Sequence, residues 1–171
     1  MPDHPDVPDV PDVPDVSNVP NVPEVPDPAP PPSGTDLFGA LDALSASAQT
    51  IDLPDPDAWL DGYTDDGVFR FRPTADADDL FRLEGREARR QWFAEHRARV
   101  PAGAQVHLLA NPRLRPDGDQ LVGTSTYFTL YAAGGGIVVA SSGLWLDRLV
   151  RGGDGRWRIQ DRCAVRVMPA S

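Results

Sequence analysis

Read for its alternation of apolar and polar positions, the chain changes character near residue 104. Beyond it lie four long runs, AQVHLLANPRLR, QLVGTSTYFTLYA, IVVASSGLWLDRLV and RWRIQDRCAVRV. They are separated by turns at Pro116-Asp117-Gly118-Asp119, Gly134-Gly135-Gly136 and Gly152-Gly153-Asp154-Gly155. Short Gly/Asp loops between β-branched and aromatic runs are hairpin punctuation. In the last run Trp157, Ile159, Cys163 and Val165 fall on one face, and Arg158, Gln160, Arg162 and Arg166 on the other. The pattern predicts an antiparallel sheet of four long strands, with one face needing a cover.

Upstream the period changes. Thr35 can cap a helix over DLFGALDALSASAQ, whose Leu37, Phe38, Leu41 and Leu44 recur at helical spacing. Pro54 and Pro56 stop it, and Asp55 or Asp57 can start a short second helix bearing Trp59, Leu60 and Tyr63. VFRFR (68–72) reads as a short edge strand, and PTADADDLFRLEG as a polar loop. A third helix runs from Gly85 to Arg99, with Ala88, Trp92, Phe93 and His96 along one stripe. The order predicts an α+β fold: a curved antiparallel sheet with about three N-terminal helices packed on its concave face. Long strands twist and coil, so such a sheet under helices encloses a cone-shaped, mostly apolar cavity of the kind that ligands prefer.

Residues 2–32 repeat Pro-Asp-Val and its variants, with Asp3, Asp6, Asp9, Asp12 and Asp15 at every third position. Three residues per turn is the polyproline II period, which would draw one acidic stripe along a rod. The segment lacks varied apolar side chains to offset its ordering entropy, so residues 1–34 are expected to be a disordered tail and 35–171 the domain. The tail is read as a solubilising spacer, with docking to a basic partner as the alternative.

Charge follows the same division. The net charge is −10, but the tail holds seven acids and no base, leaving the domain at −3. A nearly balanced domain is not a nucleic-acid footprint. Cys163, the single cysteine, excludes an internal disulfide and reads as a buried, inert thiol. No run has the length of a membrane span, and the N-terminus lacks the basic and apolar regions of a signal peptide. A soluble cytoplasmic protein is expected.

Four segments in register carry a resemblance: Asp65-Asp66-Gly67-Val68-Phe69, Glu84-Gly85-Arg86-Glu87-Ala88, His107-Leu108-Leu109-Ala110-Asn111-Pro112, and Asp154-Gly155-Arg156-Trp157-Arg158-Ile159 followed by Arg162. Together they resemble the SnoaL-like branch of the nuclear transport factor 2-like superfamily over roughly residues 36–167. The resemblance implies a cone-shaped α+β barrel, a homodimer through the sheet (a trimer being the alternative), and a small hydrophobic ligand. The superfamily includes scytalone dehydratase, polyketide cyclases, steroid isomerase and the non-catalytic beta subunit of ring-hydroxylating dioxygenases, so the fold alone does not decide the chemistry.

His107 is the leading candidate for chemistry. The resemblance implies a cavity-facing histidine here that moves a proton, and alternation puts it on the face of Leu109 and Asn111, opposite Val106 and Leu108. Histidine suits acid/base work near neutrality. Asp52 stands where dehydratase-like members place an aspartate, with Asp55 at the second acid of the same D-x-x-D spacing and Ile51 replacing a tyrosine. Tyr127, Asn111, Trp145 and Tyr63 are candidate cavity-wall residues: a Tyr or Asn donor can hold an enolate oxygen, and Trp145 can stack on a planar ligand. Asp147 reads as a structural ion-pair partner of Arg148, Arg151 or Arg162, and His96 as a packed or solvated residue. No metal is expected from the sparse His and Cys, and no cofactor is expected without a phosphate-cradling glycine motif. These residues predict a cofactor-independent lyase or isomerase; the alternative is a non-catalytic small-molecule-binding or oxygenase beta-subunit-like domain.

Overall fold

The computed structural model of the chain describes residues 34–100, 103–133 and 135–167. The acidic repeat and the Thr35 side chain lie outside the described residues. The elements are α1 (Gly34–Thr50), α2 (Pro56–Leu60), β1 (Tyr63–Arg72), β2 (Phe81–Glu84), α3 (Gly85–Arg99), β3 (Gln105–Asp117), β4 (Gln120–Ala133), β5 (Gly136–Arg151) and β6 (Trp157–Arg166). The strands form one curved, open sheet in the order β2-β1-β6-β5-β4-β3. From β3 to β6 it is the expected antiparallel meander.

The other end differs from the sequence reading. VFRFR is the second half of β1 and is not an edge: β1 lies between β6, to which it runs parallel, and β2, to which it runs antiparallel. The edge is β2, drawn from the segment expected to be loop. There Phe81 and Leu83 alternate with Arg82 and Glu84, and the Phe81 ring stacks on Phe71 at 5.6 Å. Tyr63 opens β1 instead of closing α2. A bulge between Tyr63 and Val68 is held from beneath by Arg89 of α3. This side chain is wholly buried; it donates to the Thr64 carbonyl at 2.7 Å and to that of Gly67, and lies over the Tyr63 ring. A Cβ on Gly67 would meet the Thr64 carbonyl at 2.9 Å, so only glycine fits this bulge.

Asp55 caps α2 by accepting from the Asp57 N–H at 2.9 Å, and Pro56 follows where a missing N–H costs nothing. On α1 the buried stripe is Ala40, Leu44, Ser47 and Ala48, rotated away from Phe38, which is 76% exposed. Small residues there let α1 approach the sheet, and Trp59, Leu60, Tyr63, Phe69 and Phe93 fill the space between helices and sheet.

A one-residue bulge decides what faces the helices. In β6, Asp161 pairs with Arg148 but Ile159 pairs with Leu149, so Gln160 is the extra residue. Side chains reverse faces across it. Ile159 therefore shares the concave face with Arg162, Ala164 and Arg166, whereas the sequence pattern put the arginines opposite Ile159. Cys163 faces the other side, across from Arg70. It is buried, and burial pushes its thiol up.

Candidate active site

The last turn of α1 ends with Ile51 buried and Asp52 beside the first residues of β3. β3 is the free edge of the sheet, and alternation turns Gln105, His107 and Leu109 inward while Val106 and Leu108 stand 47% and 46% exposed. An edge strand leaves half its N–H groups unpaired by the sheet. Asp52 takes one of them: Oδ2 accepts from the His107 backbone N–H at 2.6 Å, and Oδ1 lies 2.8 Å from His107 Nδ1. One carboxylate thus fixes both the backbone and the ring of His107. With Nδ1 protonated toward Asp52, Nε2 carries the lone pair, and the Gln105 amide nitrogen lies beside both ring nitrogens, 2.9 Å from Nε2 and 3.2 Å from Nδ1. Tyr131 donates to Gln105 Oε1 at 2.8 Å, completing a chain Tyr131–Gln105–His107–Asp52.

His107 looks into a cavity of about 320 Å³, near the lower end of the range for small-molecule sites. Its floor is aromatic: Trp59, Phe69, Phe71, Phe81 and Trp92. Trp145 joins the two polar ends, its ring 6.5 Å from that of His107 and stacked on Tyr127 at 5.4 Å. Tyr127 Oη lies 3.2 Å from Ser141 Oγ, and burial pushes its phenol up, so it remains a proton donor. Tyr63, also on the wall, is pushed up by burial in the same way.

Of the sequence candidates, His107, Tyr127, Trp145 and Tyr63 line the cavity, and Asp52 stands behind His107 without lining it. Asn111 does not line it either. An extra residue in β3 between Ala110 and Arg113 puts Asn111 in left-handed backbone (φ 50°), exposed and off the cavity wall. Asp55 is spent as the cap of α2 and points to solvent. Asp147 makes the ion pair expected of it, with Arg162. Its oxygens accept from Arg162 Nε at 2.6 Å and Nη2 at 3.2 Å, both side chains being buried. The Arg162 guanidinium lies 4.1 Å over Trp145, forming part of the cavity wall.

Gln105, Tyr131, Ser141, Arg162, Arg166 and His96 were not among the sequence's candidate site residues. His96 stacks on Trp92 at 4.9 Å and lines the cavity, with Nε2 buried and unbonded. Burial first, then the charges of Arg97, His107 and Arg99, lower its pKa from 6.5 to about 4. A histidine depressed in the folded state binds fewer protons than in the unfolded state, so stability falls as pH drops from 6.5 towards 4. The expected loss over that window is about 1–3 kcal/mol. Urea unfolding of His96→Phe, which keeps a ring on Trp92, should show a flatter pH dependence; an unchanged slope would assign the loss to other groups. Among the described residues no group of three or more His, Cys, Asp or Glu is placed to hold a metal ion, and no helix is long and apolar enough to cross a membrane.

Comparison with known proteins bears on the fold and the family. The chain is similar over 79% of its length to Rv3472 of Mycobacterium tuberculosis, a protein of unknown function, at 27% identity and TM-score 0.67, covering 73% of that chain. The beta subunit of a putative aromatic-ring-hydroxylating dioxygenase from Novosphingobium aromaticivorans matches at 17% identity and TM-score 0.66, over 79% of this chain and 92% of that one. ActVI-ORFA from Streptomyces coelicolor matches at 21% identity and TM-score 0.63, over 77% and 97%. The last two likenesses are of fold. No curated protein matches the sequence. Residues 40–163 match the SnoaL-like domain, and the chain belongs to that family.

Proposed function

We propose that the protein is a cofactor-independent lyase or isomerase that transfers a proton on a hydrophobic carbonyl compound, of the polyketide- or aromatic-derived kind. The observation that carries this reading is His107 facing a largely apolar cavity, with Asp52 bonded to it from behind. His107 Nε2, once substrate displaces the Gln105 amide, takes a proton from the carbon beside the carbonyl. Tyr127 donates a hydrogen bond to the developing enolate oxygen, and Asp52 stabilises the imidazolium. The same proton returns to another carbon in an isomerisation, or leaves with a hydroxyl as water in a dehydration. The test is turnover of a panel of cyclic β-hydroxy ketones and enones: His107→Ala and Asp52→Asn should each abolish it with the fold intact. Full activity in both would end the mechanism.

A second reading, a binding or oxygenase-subunit role, has its own observation on the outer face of the sheet. There Val106, Leu108, Val139, Leu144 and Leu146 are 37–49% exposed, a contiguous apolar face of the sort that marks interfaces. We assign this face to a homodimer. Sedimentation velocity should show a dimer, converted to monomer by Leu144→Glu with Leu146→Glu; a monomeric wild type would remove the assignment and favour a different partner subunit.

A further inference from the structure

The cavity wall carries a cation that the proton-transfer reading does not use. Among its lining residues are Arg162 and Arg166 and no Asp or Glu. Arg162 is neutralised from behind by Asp147. Arg166 is not: its guanidinium lies 5.1 Å over the Phe71 ring, its Nε is buried without a hydrogen-bond partner, and among the described residues it forms no ion pair. A buried donor atom without a partner is costly, and no anion offsets the charge beside it.

A glycine stands beside it on the sheet, where neighbouring backbone and the Tyr127 ring leave no room for a side chain. On the concave face Arg166 pairs with Gly143, and Gly143 pairs with Tyr127. A Cβ on Gly143 would stand 1.9 Å from the Val165 carbonyl and 2.9 Å from the Tyr127 ring. Glycine therefore leaves no side chain between the guanidinium and the phenol, whose hydroxyl is already joined to Ser141. One positive fork and two hydroxyls, with an aromatic floor below, match a carboxylate attached to a planar apolar body.

We propose that Arg166 anchors a carboxylate on the ligand, so that the substrates of this cavity are aromatic or polyketide-like acids whose far end reaches His107. This deepens the function proposed above and rests on its reading of the cavity as the ligand site, but not on proton transfer. Binding can therefore be tested without turnover. By titration calorimetry on the full chain, 2-naphthoate should bind at least about tenfold more tightly than the isosteric, neutral 2-naphthamide, one charge-assisted bidentate contact being worth that much. Arg166→Gln should erase the preference while leaving naphthamide affinity unchanged, which also reports that the cavity is intact. If Arg166→Gln fails that control, Arg166→Lys decides, and should keep only part of the preference. Equal affinities in the wild type, binding of neither probe, or a full preference in either variant overturns the proposal. His107→Ala should keep the naphthoate preference. If it also keeps turnover, the proton-transfer reading falls while the anchor stands.

Discussion

Asp147→Ala is expected to cost about 3–5 kcal/mol of unfolding free energy, because it removes one partner of a buried ion pair and leaves the other behind. Arg162 and Asp147 expose only 2% and 1% of their side chains, so water cannot replace the missing carboxylate. Burial presses against the guanidinium charge, and Asp147 together with Tyr63 more than compensates, holding Arg162 above its ordinary pKa. Without Asp147 the remaining contacts include the Ser47 hydroxyl at 3.0 Å, the Tyr63 phenol and the Trp145 face at 4.1 Å, none of which carries a charge. A typical domain is stable by about 5–15 kcal/mol, so the single variant should lose a large share of its stability. Removing both charges with Asp147→Leu and Arg162→Met should recover most of the loss, since the desolvation cost disappears with the pair. Urea titration at constant m decides it: a loss below about 1 kcal/mol for Asp147→Ala would show that water reaches Arg162.

The same pair shows how far alternation could be read from the sequence. Trp145, Asp147 and Leu149 share a face by simple parity, and arginines near in sequence or across the hairpin made an ion pair for Asp147 legible without choosing among Arg148, Arg151 and Arg162. That this pair lies inside, against the cavity, was not. It depends on Gln160, whose bulge reverses every later side chain of β6, and nothing in RWRIQDRCAVRV marks Gln160 as the extra residue. Asn111 failed for the same reason in β3, although Asn tolerates left-handed backbone and stands before a proline, which is a bulge signal in retrospect. The strand β2 was hidden by its neighbours: four alternating residues after Asp-rich sequence give too short a period to separate from a loop. On α1 the buried stripe is made of Leu44 with Ala40, Ser47 and Ala48, small residues that hydrophobic periodicity underweights against the exposed Phe38. In the strand order of the meander and the span of α3, the pattern and the fold agree. Asp52 and His107 were paired through the family resemblance, and local sequence could not have joined residues that far apart.

Asp52→Asn is the sharper of the two tests of the proposed chemistry, with an expected loss of about 10²–10⁴ in kcat, the usual contribution of a positioned general base. The asparagine can keep the geometry, because its oxygen still accepts the His107 backbone N–H now held at 2.6 Å. Its amide then faces Nδ1 and donates to it, which forces the ring proton onto Nε2 and removes the lone pair that faces the cavity. Shape, burial and cavity volume stay as they were, and only the tautomer changes. KM should therefore move little while kcat falls, and His107→Ala should lose a similar factor. Combined, Asp52→Asn and His107→Ala should lose no more than His107→Ala alone, since the carboxylate acts only through the ring. Multiplication of the two losses in the double variant would give Asp52 a separate role, and a loss under about threefold in Asp52→Asn would leave the cavity a binding site without proton chemistry.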